Sequence, residues 1–282
     1  MADTAFQTAY RQELINGFEA TQSLLRMSVT TEAVIKGNEA KFLIVDSNGA
    51  TATTRAYTGK IPSRMVNKTQ VTCTLTEEHD KAIETGYNLH SSQGDIKSAM
   101  LRSTRAVINR RVDDQIIDQL NTGTVNTGTA TVASMRLLTR VRTMLGNAKV
   151  PNDGMLTGVV TPAFLGYLLE MKEFANADYV SARPLMSGGG AWDDSAKIYQ
   201  FMGINFITHP DLPGAGTSAE KCFFYHKSAI GHAMAVSDIQ AFVGYNEEDD
   251  FTYCRTTFYG GAKLLQNSGV VVVNHDGSAV SA

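Results

Sequence analysis

The sequence predicts an α+β fold, in which helices and strands occupy separate stretches and no repeating strand-helix-strand order appears. Three observations carry this prediction. Residues Asp95 to Gly123, DIKSAMLRSTRAVINRRVDDQIIDQLNTG, hold neither Pro nor Gly between Ile96 and Asn121 and read as one long helix. Lys41 to Leu75 carries strand periodicity around a turn-rich centre. From Met155 onward, short apolar runs separated by turn clusters read as further strands.

In chain order, residues 1–36 place Phe6, Tyr10, Leu14, Phe18 and Leu25 at near-helical spacing, interrupted by Gly17 and followed by the Ser/Thr-rich Ser28 to Thr31. This predicts a short amphipathic arm, packed either as a first helix or on a neighbouring molecule. Phe42 to Val45 is then an apolar run, Asp46-Ser47-Asn48-Gly49 a turn, Gly59-Lys60-Ile61-Pro62-Ser63 a tip, and Gln70 to Leu75 alternates with Val71, Cys73 and Leu75 on one face. A hairpin with arms of about ten residues would reach roughly 33 Å, and two isolated strands are marginal in water. Between Ser47 and Thr76 it carries Arg55, Lys60, Arg64 and Lys68 and no acid. Such one-sided charge serves either solubility or docking onto an acidic surface of another subunit.

Glu77 to Gln93 reads as an acidic connector into the long helix. On that helix Asp95 is a suitable N-cap and Gly123 is placed for a left-handed C-terminal residue. Leu101, Ile108, Val112, Ile116 and Leu120 form one apolar stripe, and Ile96, Met100, Val107 and Ile117 a second, so contacts are expected on two sides. Its bases, among them Arg110 and Arg111, precede its acids Asp113, Asp114 and Asp118, an order that opposes the helix dipole. The charges form either a solvated face or one whose partners come from another subunit. Thr122 to Thr131 reads as a Gly/Thr-rich linker and an internal boundary, followed by a helix from Met135 to Ala148, a strand from Met155 to Thr161 and a helix opened by Pro162. Residues 172–197 are loop-rich and include Gly188-Gly189-Gly190 and Trp192. Strands are expected at Ile204 to Thr208, Cys222 to His226, Ile239 to Tyr245, Phe251 to Tyr259 and Val270 to Asn274, with Glu247-Glu248-Asp249-Asp250 as an acidic turn.

Composition excludes several functions. A net charge of -3 offers no whole-molecule attraction to nucleic acid or membrane. No stretch approaches the roughly 18 apolar residues of a membrane span, and the start, MADTAFQTAY, lacks the pattern of a secretory signal. Cys73, Cys222 and Cys254 form neither a disulfide framework nor a zinc motif, which suits a reducing cytoplasm. No nucleophile elbow, HExxH, phosphate loop or calcium loop is present, and His79, His90, His209, His226, His232 and His275 share no metal-ligand spacing. The expectation is therefore no enzyme, no cofactor and no metal; a soluble enzyme whose site is assembled from distant residues is the rival of a different class.

Several phrases, in order, carry a resemblance. They are Gly37-Asn38-Glu39-Ala40-Lys41-Phe42, Lys149-Val150-Pro151, Phe201-Met202-Gly203-Ile204-Asn205-Phe206, His226-Lys227-Ser228-Ala229-Ile230-Gly231, Tyr259-Gly260-Gly261 and Gly269-Val270-Val271-Val272. Spread over residues 37–276, they resemble the major capsid proteins of short-tailed, T-seven-like bacteriophages. The resemblance implies the tailed-phage capsid fold of the HK ninety-seven type. Its parts would be an N-terminal arm at 1–36, an extended hairpin loop at 37–76 and a peripheral domain with the spine helix at 77–129. An axial domain at 130–236 and peripheral return strands with the C-terminus at 237–282 would follow. It further implies self-assembly into hexamers and pentamers of an icosahedral virion shell around double-stranded DNA, formed in the bacterial host cytoplasm. A separate scaffolding protein, a portal protein and decoration proteins would be partners, with no membrane. An encapsulin-type compartment shares the fold and is the alternative. Ring formation needs two unlike patches on one surface. The candidates are Arg55, Lys60, Arg64 and Lys68 on one subunit, facing Glu247, Glu248, Asp249 and Asp250, or Asp113, Asp114 and Asp118, on the next.

Overall fold

The structure, a computed structural model, describes residues 22–32, 37–47, 49–55, 57–59, 61–91, 95–172, 199–235 and 240–281. The apolar residues expected in an arm at 1–21, Lys60, the triple glycine and Trp192 lie outside them. In order the strands are β1 Thr30–Glu32, β2 Glu39–Asp46, β3 Asn67–Thr74, β4 Thr76–Thr85, β5 Leu156–Val160, β6 Tyr199–Phe201, β7 Ile204–Thr208, β8 Glu220–His226, β9 Ile230–Met234, β10 Gln240–Asn246, β11 Phe251–Leu264 and β12 Val270–His275. The helices are α1 Gly86–Ser91, α2 Ile96–Asn121, α3 Met135–Asn147, α4 Pro162–Glu170 and α5 Ser278–Ser281.

The chain divides into two compact units. The described residues of the smaller fall within 1–23, 77–111 and 238–258, those of the larger within 24–76, 112–237 and 259–282. The long helix α2 and the strand β11 contribute residues to both.

In the smaller unit β10 and β11 form an antiparallel hairpin from Gln240↔Thr257 to Asn246↔Phe251. Strand β4 also pairs with β11. This strand was expected as a connector. Its residues do alternate between exposed and half-buried, but charges stand on both faces, Glu78 and Asp80 on one and Glu77, His79 and Lys81 on the other. Period two is present in burial and absent from hydropathy.

The larger unit is built on a five-stranded sheet of order β12-β8-β5-β7-β6, with β5 and β7 parallel. Its apolar cluster joins Leu137, Leu138, Val141 and Leu145 of α3 and Phe164 and Leu168 of α4 to Phe206, Phe224 and Val271. The closing strand β12 pairs with β8 from Val270↔Tyr225 to His275↔Glu220, within this unit. The Gly/Thr stretch expected as a free boundary also belongs here. Thr127 donates its N–H to Val272 and Val125 accepts from Val272, so the stretch runs along β12 as a partner of its backbone. A run of four valines needs both its hydrogen-bonding edges satisfied when buried, and two segments distant in sequence supply them.

The ends of α2 show one expectation met and one corrected. Asp95 caps the helix through Oδ1, which accepts the Ser98 N–H at 3.2 Å, and Oδ2, which accepts from the Ser98 hydroxyl. These bonds hold the Asp95 carboxyl below its usual range. At the other end Gly123 has no positive φ. The helix closes with the Thr122 and Gly123 N–H groups bonded to Gln119 and Leu120, and a Cβ at 123 would come within 3.1 Å of the Leu120 carbonyl and 3.2 Å of Val270. The glycine is there for close packing. The left-handed residue occurs after α3 instead, at Lys149 with φ 59°, where Val150 donates to Leu145 and Lys149 to Gly146 in a Schellman closure before Pro151.

Candidate assembly surfaces

The hairpin β2–β3 is antiparallel from Glu39↔Thr74 to Asp46↔Asn67, so each arm has eight residues, fewer than expected, and the described residues between the arms form no strand. Its inner face is Ala40, Phe42 and Cys73, packed on Ala233. Two glycines make this seat. A Cβ at Gly231 would stand 2.8 Å from Cζ of Phe42, and one at Gly261 would collide with the Thr74 carbonyl oxygen and press on Cys73. Both glycines fall in phrases that carry the resemblance, and their contacts explain why glycine stands there.

The outer face is left open. Leu43 is 63% exposed and Val45 58%, and in the loop Tyr57, Ile61, Met65 and Val66 are exposed too. Arg55, Arg64 and Lys68 stand among them, exposed. Arg64 Nη1 donates to the Ser47 carbonyl at 3.0 Å, tying the loop across its neck.

The acidic turn closes β10–β11, with Asp250 at φ 49°. Asn246 Oδ1 accepts the Glu248 N–H at 3.0 Å and its Nδ2 donates to Asp249 Oδ2 at 3.1 Å. The Tyr245 hydroxyl donates to Asp250 Oδ1 at 2.7 Å, which pushes the tyrosine pKa up. Asp249 and Asp250 thus build the turn, while the carboxylates of Glu247 and Glu248 stand exposed on it.

The charges of α2 separate into groups that the sequence did not distinguish. Arg111 Nε donates to Glu78 Oε1 at 3.0 Å within the smaller unit. Arg110 and Asp114 are also engaged within the chain, and Asp118 is exposed. Asp113 was expected as a partner for another subunit, and the structure corrects this: it is 2% exposed. Spaced three and seven residues before Ile116 and Leu120, it lies on the buried side of α2. Its Oδ1 and Oδ2 accept the N–H groups of Leu25 at 3.1 Å and Leu24 at 3.0 Å. Those amides open the short 3₁₀ turn Arg26–Ser28, whose own cap residue, Leu25, offers no side-chain acceptor. Asp113 is a cap delivered from a distant helix. Leu25 and Val29 are buried, Ser28 bonds the Tyr225 hydroxyl at 2.5 Å, and β1 pairs parallel with β9. Residues 24–32 of the expected arm are therefore part of the larger unit.

Around this cap the unit keeps further polar groups inside. His209 Nδ1 accepts the Asp211 N–H at 3.2 Å, which leaves the proton on Nε2, 3.7 Å from Asp113. His232 is fully buried and burial lowers its pKa to about 4. Glu220 accepts from the Thr161 hydroxyl at 2.6 Å and the Gly216 N–H at 2.7 Å and pairs with His275 at 2.8 Å, both side chains buried. The buried His226 contacts the exposed Asp153 at 3.1 Å, and in the smaller unit the exposed His79 contacts Glu77 at 2.8 Å. His79, His209, His226 and His275 brace backbone or carboxylates, and among the described residues no group of side chains is arranged to hold a metal ion. The three cysteines are buried, and burial raises the Cys222 thiol to about 12, far from a reactive thiolate.

Among the described residues the hairpin and the acidic turn leave apolar and charged side chains exposed. A search of curated proteins by sequence returns no match. Among solved structures, the chain is similar to one from Mycobacterium phage Che8, at TM-score 0.72 and 18% identity over 97% of this chain and 98% of that one. It is similar to the capsid of the cyanophage P-SCSP1u, at 0.70 and 12% over 96% and 93%, and to the capsid of Ralstonia phage GP4, at 0.68 and 10% over 98% of each. The likeness is to phage capsids at large, without singling out the short-tailed kind. The family model described as phage capsid protein matches residues 2–277, and the chain belongs to that family of structural shell proteins.

Proposed function

We propose that this protein is the repeating subunit of an icosahedral phage head, joined in rings of six and five around double-stranded DNA. The observation that supports the reading best is the hairpin, seated on Gly231 and Gly261 by its inner face and open on its outer face, where apolar side chains and bases stand together. A second copy is the partner that supplies unlike patches in a closing arrangement. The Glu247 and Glu248 carboxylates are the acids best placed for the bases, since Asp113 is enclosed. A separate scaffolding protein and a portal protein complete the assembly, in the host cytoplasm, with decoration proteins on the finished shell.

The test uses Arg55→Glu with Lys68→Glu, which spares the Arg64 tie to Ser47. Negative-stain microscopy of the wild type, alone and with its scaffold, should show rings and shells. The double variant should remain folded by circular dichroism and fail to form them. Normal shells from the variant would refute the pairing.

A further inference from the structure

Helix α3 presents a basic face that the assembly surfaces leave unused. From Gln119 to Asn152 the chain contains no acidic residue, while Arg136, Arg140, Arg142 and Lys149 fall within it. Leu137, Leu138, Val141 and Leu145 turn one side of α3 into the core, and Arg136, Thr139, Arg140 and Thr143 stand exposed on the other at i, i+3, i+4 and i+7. Among the described residues no ion pair or side-chain hydrogen bond engages these arginines. The two threonines turn their hydroxyls back to the carbonyls of Met135 and Thr139, both at 2.9 Å, so they fill the face without competing for a ligand.

We infer that this face contacts the phosphate backbone of double-stranded DNA inside the shell. The inference rests on the proposed enclosure of such DNA. Arg136 lies in the first turn of α3, which holds no acid, and a cation there opposes the helix dipole unless an anion joins it. Arg136 and Arg140 are separated by about 6 Å along the axis, so both long side chains can reach the backbone of one strand. Guanidinium groups fork onto phosphate oxygens. Helix α3 itself carries no aromatic residue to stack on bases, so the contact reads charge without sequence.

The experiment compares unassembled wild type with Arg136→Gln/Arg140→Gln, binding short fluorescent duplexes of two unrelated sequences between about 50 and 200 mM salt. The slope of log affinity against log salt should become less negative by about 1.8 in the variant, equally for both duplexes, since each lost phosphate contact removes about 0.9. Melting temperature and shell assembly should be unchanged. An unaltered slope, or no duplex binding by the wild type at the lowest salt, would overturn the inference. So would a variant that binds DNA as before and fails to assemble, because the face would then meet protein. Failure of the wild type to close shells would refute the proposed function and leave the salt slopes to decide this point separately.

Discussion

Acid should weaken the larger unit through His232, whose burial sets the size of the effect. The side chain is fully buried, and burial together with Arg26 holds its pKa down to about 4. An unfolded histidine titrates near 6.5. Between those values the unfolded chain binds a proton that the folded chain refuses, so stability rises with pH. The contribution is complete above about pH 6.5 and is lost as pH falls toward 4; integrating the two titrations gives a loss of about 2 kcal/mol between pH 7 and 5. Urea unfolding of the unassembled protein, followed by circular dichroism at pH 7 and at pH 5, measures it. His232→Leu removes the titrating group at similar volume, and its stability should change far less over the same interval. Wild type and variant losing stability in parallel would refute the reasoning, since other groups would then carry the acid response.

Three further predictions concern the packing. Gly231→Ala drives a methyl to 2.8 Å from the Phe42 ring and should destabilise by about 1–3 kcal/mol, with faster proteolysis in residues 47–66; Phe42→Leu in the same chain should restore resistance. Lys149→Gly relieves a left-handed residue and should stabilise by about 1 kcal/mol, read as a raised melting temperature. Asp113→Ala leaves the Leu24 and Leu25 amides without their acceptor and should cost about 1.5–3 kcal/mol, with amide exchange at 24–32 rising well above that of β8.

Local chemistry made most elements legible. The Asp95 cap, the break-free run to Asn121, the alternation at Val71 and Cys73 and the proline opening α4 each act within a few residues, and α2, β3 and α4 form where they indicate. What the sequence concealed depends on partners distant along the chain. Thr122 to Thr131 has the composition of a linker because Gly and Thr report only local freedom, whereas β12 recruits it by backbone hydrogen bonds that any residue can make. Strand β4 was hidden because its alternation is one of exposure among charged residues. The candidate site was harder still. Asp113 and Asp114 are adjacent acids with the same local signal, and only the rotation of α2 encloses the first.

The balance of polar and apolar surface argues for association more strongly than any single charge does. This chain buries Asp113, His209, His232, Glu220 and His275, groups that are costly to desolvate and that need hydrogen bonds to be tolerated. It meanwhile leaves Leu43, Val45, Tyr57, Ile61 and Met65 exposed on one hairpin. Burying each of those fully would contribute up to about 1.5–3 kcal/mol. A chain that functioned alone would gain by folding the ribbon onto its own body, yet the inner face is already committed to Gly231 and Gly261 and only the outer face is free. Among the described residues nothing covers that outer apolar surface, and in the proposed assembly another copy would. In a ring each copy gives one such contact and receives one, so closure adds a contact without a further loss of free subunits.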